Sequence, residues 1–163
     1  MPKIFREMIV QASLQESWQL VSDMERFSAC IPGCQQVVKV DDNTFDWVME
    51  AKVLRTKRKV KARTEATRLF APTRAEFKGE GRLFERSNYY RLTISGATDL
   101  EPISAQETRI TFSGDVSASG VGGALIEKVA AGQMDQLFEQ FEENLKQTLG
   151  DARSAQFRLK QEG

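Results

Sequence analysis

The 163-residue chain contains no histidine. That removes the commonest general base, the commonest zinc ligand and every serine–histidine or cysteine–histidine nucleophile pair. Cysteine is nearly absent as well, and Cys30 and Cys34 are too few for a disulfide framework. Neither sign of charge is in surplus, because 23 basic and 23 acidic residues balance, so no global field points to nucleic acid. No stretch reaches 18 apolar residues and no signal-peptide pattern opens the chain, which makes the cytoplasm the expected location. Catalysis would have to rest on carboxylates, lysine, tyrosine or a bound cofactor. An enzyme is not excluded, a cyclase or hydrolase using cavity residues being the alternative, but the expectation is a protein that is not an enzyme, with no cofactor and no metal site.

What is present has two periodicities. Residues 3 to 12 read as a first strand. Ser13-Leu14-Gln15-Glu16 has the spacing of a capping box, which predicts a short helix to about Val21 with Trp18 and Val21 on its apolar side. Asp23 caps a second short helix, Met24 to Cys30, that Pro32-Gly33 stops. From Gln35 to Ala118 the period is two. Phe45, Trp47, Met49, Ala51 and Val53 share a face; Val60, Ala62, Thr64 and Ala66 form the next set; Ala75, Phe77, Gly79 and Gly81 the next. Tyr90, Leu92, Ile94 and Gly96, then Ile110, Phe112, Gly114, Val116 and Ala118, complete about six strands joined by short turns, which means antiparallel pairing. Large inward residues alternate with alanine and glycine, a pattern that lets a sheet bend.

From Val121 to Leu149 the period becomes helical. Leu125, Ile126, Val129, Met134, Leu137, Phe138, Phe141, Leu145 and Leu149 recur in steps of three and four. At 1.5 Å per residue this helix is roughly 40 Å long, enough to cross a small sheet. Gly150 reads as its C-cap, which predicts one folded domain over residues 1–149 and a flexible tail over 150–163.

The order of strand, two short helices, six antiparallel strands and a long C-terminal helix is that of the helix-grip fold. The blocks Phe27-Ser28-Ala29-Cys30-Ile31-Pro32-Gly33-Cys34, Phe77-Lys78-Gly79-Glu80-Gly81, Asp115 through Gly123, and Met134-Asp135-Gln136-Leu137-Phe138-Glu139-Gln140-Phe141 resemble the carbon monoxide dehydrogenase CoxG family. That family lies within the START and polyketide-cyclase-like superfamily. The resemblance covers roughly residues 3 to 149, and Cys-Ile-Pro-Gly-Cys is its most specific part. It implies an α+β fold, a curved sheet of about seven strands wrapped around the long helix. It also implies an accessory of a molybdenum hydroxylase, linked to maturation or to peripheral contact with the inner face of the membrane. The superfamily implies a hydrophobic small molecule between sheet and helix, a lipid or an isoprenoid quinone.

Periodicity alone does not separate solid core from cavity wall; the resemblance favours a cavity. The candidate ligand contacts are Trp47, Met49, Phe77, Tyr90 and Phe112 on the sheet, Met134, Leu137, Phe138 and Phe141 on the long helix, and Phe27 and Ile31 at the lip. Cys30 and Cys34 are separated by three residues rather than the two of a redox pair and have no histidine to complete a metal site, so they read as packing of a tight turn. Gly120-Val121-Gly122-Gly123 does not complete a dinucleotide fingerprint, because Leu125 stands where glycine is required. It reads as a turn needing positive φ, or functionally as a hinge for the long helix. Lys52, Arg55, Lys57, Arg58, Lys59, Lys61 and Arg63 crowd one hairpin. They read either as a solvated edge that discourages aggregation or as a dock for an acidic protein or anionic lipid, with Arg55, Lys57, Lys59 and Lys61 as its contacts. No aromatic residues interleave with them, so nucleic acid is not an expected partner.

Overall fold

The structure, a computed structural model, describes residues 3–53, 56–85, 88–120 and 123–162. Strand β1 (Lys3–Val10) leads into helices α1 (Leu14–Ser22) and α2 (Met24–Cys30). Six strands follow: β2 (Cys34–Lys39), β3 (Thr44–Val53), β4 (Thr56–Phe70), β5 (Arg74–Glu85), β6 (Asn88–Ser104) and β7 (Glu107–Ser119). Helix α3 spans Gly123–Glu162. Every strand pair is antiparallel and the sheet order is β1-β7-β6-β5-β4-β3-β2, so β1 and β2 are its edges. This is the helix-grip order expected from the sequence.

The two short helices begin where their caps dictate. Ser13 Oγ accepts the Glu16 amide at 3.1 Å, the N-cap bond of the capping box, and its hydroxyl donates to the Glu16 carboxylate at 2.9 Å. Asp23 terminates α1 and caps α2 through the Arg26 amide. Helix α2 ends in the Cys-Ile-Pro-Gly-Cys turn, where Gly33 adopts φ +84°. A Cβ there would lie 2.5 Å from the Glu50 carbonyl oxygen, and the Gly33 carbonyl accepts the Glu50 amide at 2.8 Å. Only glycine combines that dihedral with so close an approach. Both cysteines are free thiols. Cys30 is buried beside Thr148 of α3, and partial burial pushes the Cys34 thiol up.

Helix α3 does not stop at Gly150. The segment after it is rich in alanine, arginine, glutamine and lysine, so a single helical glycine, costing about 1 kcal/mol, does not end the helix. Positions 121 and 122 of the expected hinge lie outside the described residues; Gly120 itself has φ +123°. The main core lies at the β1–β7 side, where Val10, Leu20, Cys30, Leu100, Ile110, Phe112, Phe141, Leu145 and Leu149 pack together. Asn144 Nδ2 donates to the Cys30 carbonyl at 3.0 Å and fastens α3 to the end of α2. Among the described residues, no helix is long and apolar enough to cross a membrane.

Candidate functional site

Strand register lays the inner face out in rows. Met49 faces Val60; Trp47 faces Ala62, then Gly81; Phe45 faces Thr64, Gly79 and Ile94. Farther along, Ala66 is aligned with Phe77, Gly96 and Gly114, and Leu69 with Ala75, Thr98 and Phe112. Ala62 with Gly81, Thr64 with Gly79, and Gly96 with Gly114 put small residues inside three of these rows, which lets the sheet curve there. At Gly96 a Cβ would lie 3.0 Å from the Phe77 ring and 2.5 Å from the Ser113 carbonyl oxygen, which leaves that ring resting directly on backbone.

Helices α1 and α2 roof this hollow with Trp18, Val21, Met24 and Phe27, and leave a cavity of about 370 Å³ beneath them. Ile31, Phe45, Trp47, Met49, Ala62, Ala66, Leu69, Phe77, Ile94 and Phe112 complete the apolar lining, and Asp42 and Asn43 of the β2–β3 turn stand at one end. A cavity of about 150 Å³ accommodates one benzene ring, so this one has room for about two such units.

Polar groups in the wall are few and mostly neutral. The Trp47 indole N–H donates to Thr64 Oγ1 at 2.8 Å, which satisfies a donor that burial would otherwise strand. Thr98, 6% exposed, projects from the same face. Glu76 borders the cavity, but its carboxylate pairs with Arg74 at 3.5 Å, and Arg74 in turn grips Asp99 at 2.6 Å. By strand alternation that group lies on the opposite face from Ala75 and Thr98. Among the described lining residues there is no lysine or arginine. Among the described residues, no group of three or more histidine, cysteine, aspartate or glutamate side chains is arranged to hold a metal ion.

Of the eleven residues expected around a ligand, six line this cavity: Phe27, Ile31, Trp47, Met49, Phe77 and Phe112. The other five lie elsewhere. Tyr90 packs with Leu83 against Val60, Leu92 and Ala118 in a separate cluster. Phe141 belongs to the main core and meets the cavity wall from behind, 5.5 Å from the Phe27 ring and 5.2 Å from Phe112. Phe138 is half-buried beneath the Arg6 guanidinium, which also pairs with Asp135. Met134 is half-buried and Leu137 is 42% exposed. The expectation that the middle of the long helix faces this cavity is thus corrected. The helix packs on β1 and β7 and reaches the end of β3 through Gln133, whose Nε2 donates to the Lys52 carbonyl at 2.7 Å, while Trp18, Val21, Met24 and Phe27 of the short helices line the cavity.

Several lining residues were visible in the sequence without being recognised as a wall. Phe45 shares the strand alternation of Trp47, and Trp18 and Val21 formed the apolar side of α1; the missing information was which helix covers the middle strands.

The basic hairpin is also placed. Lys57, Lys59 and Lys61 are exposed on the face opposite the cavity, with Lys57 paired to Glu50 at 3.6 Å; Arg55 lies outside the described residues. Lys57, Lys59 and Lys61 stand on β4, an interior strand between β3 and β5, whereas the β3 end at Lys52 runs past the last β2 pairing at Met49.

No curated protein matches the chain in sequence. Among solved structures, a conserved protein from Geobacillus kaustophilus superposes with TM-score 0.78 at 18% identity, covering 93% of this chain and 97% of its own. A START superfamily protein from Mycobacterium smegmatis gives 0.58 at 14% identity over 89% and 97%. An aromatase/cyclase from a Streptomyces species gives 0.57 at 14% identity over 93% of each chain. At these identities the likeness is one of fold, and the fold is START-like. The model of one family, the CoxG subunit of carbon monoxide dehydrogenase, matches residues 7–150. With nearly the whole chain matched, and the helix-grip architecture in place, this protein belongs to the carbon monoxide dehydrogenase CoxG family.

Proposed function

We propose that the protein is a non-catalytic carrier of a hydrophobic small molecule and serves as an accessory to a molybdenum hydroxylase of the carbon monoxide dehydrogenase type. The observation that carries this reading is the apolar cavity of about 370 Å³ under α1 and α2. Each methylene moved from water into such a wall contributes about 0.8 kcal/mol, so a lipophile of modest size binds without a charged anchor. The lining supports a lipid of one chain or the ring and first units of an isoprenoid quinone, since a neutral wall offers nothing to neutralise a phosphate. The reading as a carrier rather than an enzyme draws support from the same wall. Its buried polar groups are threonine hydroxyls, one of them committed to Trp47, and its nearest carboxylates, Asp42 and Glu76, stand at the rim or pair with arginine.

The test is organic extraction of the purified protein followed by mass spectrometry, with uptake of a short-chain isoprenoid quinone measured in parallel. A co-purifying lipophile, or saturable uptake at one equivalent, supports the reading. The absence of both a co-purifying lipophile and saturable uptake overturns it.

A further inference from the structure

On the face of the sheet opposite the cavity, the register aligns three cations on three successive strands. Lys61 of β4 lies directly across from Arg82 of β5, and Arg82 directly across from Arg91 of β6. Residues paired this way have Cβ atoms about 5 Å apart, and like charges in that position destabilise a sheet. All three side chains are exposed. Among the described residues Lys61 and Arg82 have no ion-pair partner, and Arg91 reaches only Glu80, at 3.9 Å. Lys59, next along β4 on the same face, is across from Glu50, which already holds Lys57 and Gln35.

Neighbouring rows show that this sheet otherwise pairs its charges. Arg63 binds Asp46 through two hydrogen bonds of 2.6 and 2.9 Å, and Glu65 is across from Lys78. The cationic row departs from this pattern, as does Lys52 across from Lys57 at the hairpin end, and the row sits on interior strands where protection of an edge does not account for it.

We infer that the row Lys61–Arg82–Arg91, continued by Lys59, is a docking surface for a ridge of carboxylates on a folded partner, and that this partner is carbon monoxide dehydrogenase. The inference rests on the accessory role proposed above. Charge patterning selects a protein over a membrane. Glu50 flanks the row on one side, and Asp46 and Glu80 flank it on the other. A continuous anionic surface would meet those carboxylates together with the cations, whereas a narrow acidic ridge meets the cations alone. Among the described residues, none of the exposed large apolar side chains lies in this row.

Binding of the full chain to purified carbon monoxide dehydrogenase is measured by calorimetry at low and at moderate salt, with phosphatidylglycerol vesicles in parallel. The unaltered chain is expected to bind the enzyme and to weaken as salt rises. Lys61→Glu/Arg82→Glu/Arg91→Glu is expected to lose at least ~100-fold in affinity, and the corresponding glutamine triple about 10-fold. Arg82→Glu alone is expected to raise the melting temperature while weakening binding, because it replaces two repulsions with two attractions. That opposite movement separates a docking residue from a structural one. An unaltered chain that binds while the triple variant matches it overturns the docking surface and leaves the accessory role standing. An unaltered chain that does not bind the enzyme overturns both. Loss of vesicle binding with enzyme binding retained overturns the surface in favour of a membrane.

Discussion

Thr64 is where the packing of the cavity wall becomes a hydrogen-bond problem. Its hydroxyl accepts the Trp47 indole N–H at 2.8 Å, and Trp47 is 8% exposed. Thr64→Val keeps the shape and removes the acceptor, which leaves a buried donor unpaired at a cost of about 1–3 kcal/mol. Urea unfolding checks this, and an unchanged midpoint contradicts it. Asp46 is the residue whose charge state matters on the other face. The hydrogen bond from Arg63, aided by its charge, holds the Asp46 carboxyl below its usual range. A depressed folded-state value means that the stabilisation is present above the unfolded pKa and is lost as pH falls through the folded one, so the window lies below about pH 4. The pair is exposed, so the effect is small. Asp46→Asn is expected to show a shallower loss of stability on acidification over that window in urea melts; an acid limb identical to the unaltered protein's contradicts the assignment.

At the scale of elements, the short helices matter more than the long one, because α1 and α2 roof the cavity. Ser13 nucleates that roof through its capping box, and Ser13→Ala is expected to cost about 1 kcal/mol of global stability by thermal or chemical melting. No change in the midpoint would show the cap to be redundant. The roof was legible in the sequence down to its boundaries: Ser13, Asp23 and Pro32-Gly33 are local signals, and each acts within one turn of chain. The strands were legible for the same reason, since alternation along Phe45–Met49 or Ala75–Gly81 needs no tertiary knowledge. What was not legible was non-local. The stripe at Met134, Phe138 and Phe141 announces an apolar face but not whether it meets a core, a cavity or an arginine. Its docking onto β1 and β7 is decided by sheet order. The row Lys61–Arg82–Arg91 was hidden likewise, because only the pairing register brings residues 21 and 9 positions apart onto one line. Gly150, read as a stop, shows how a weak local signal yields to good helix formers on both sides.

For the whole molecule, the sheet separates two surfaces of different chemistry. One face is concave, apolar and roofed; the other is charged and open. Ligand capacity and partner docking are therefore expected to vary independently under substitution. The aromatic cluster of Phe27, Phe112, Phe138 and Phe141 closes the cavity toward the core and fixes the position of the roof relative to α3. The central claim is that the space beneath the roof holds a lipophile. Trp18 and Trp47 both line it and report on its occupancy by fluorescence. The most direct measurement is a titration of that fluorescence with a short-chain isoprenoid quinone, for the unaltered chain and for Ala62→Phe. Ala62 stands beside Trp47 in the wall, and an added ring takes a large share of about 370 Å³. The predicted result is saturable quenching at one equivalent, weakened at least ~10-fold in the filled variant while its fold is retained. Saturation of equal strength in both proteins, or none in either, would contradict the account.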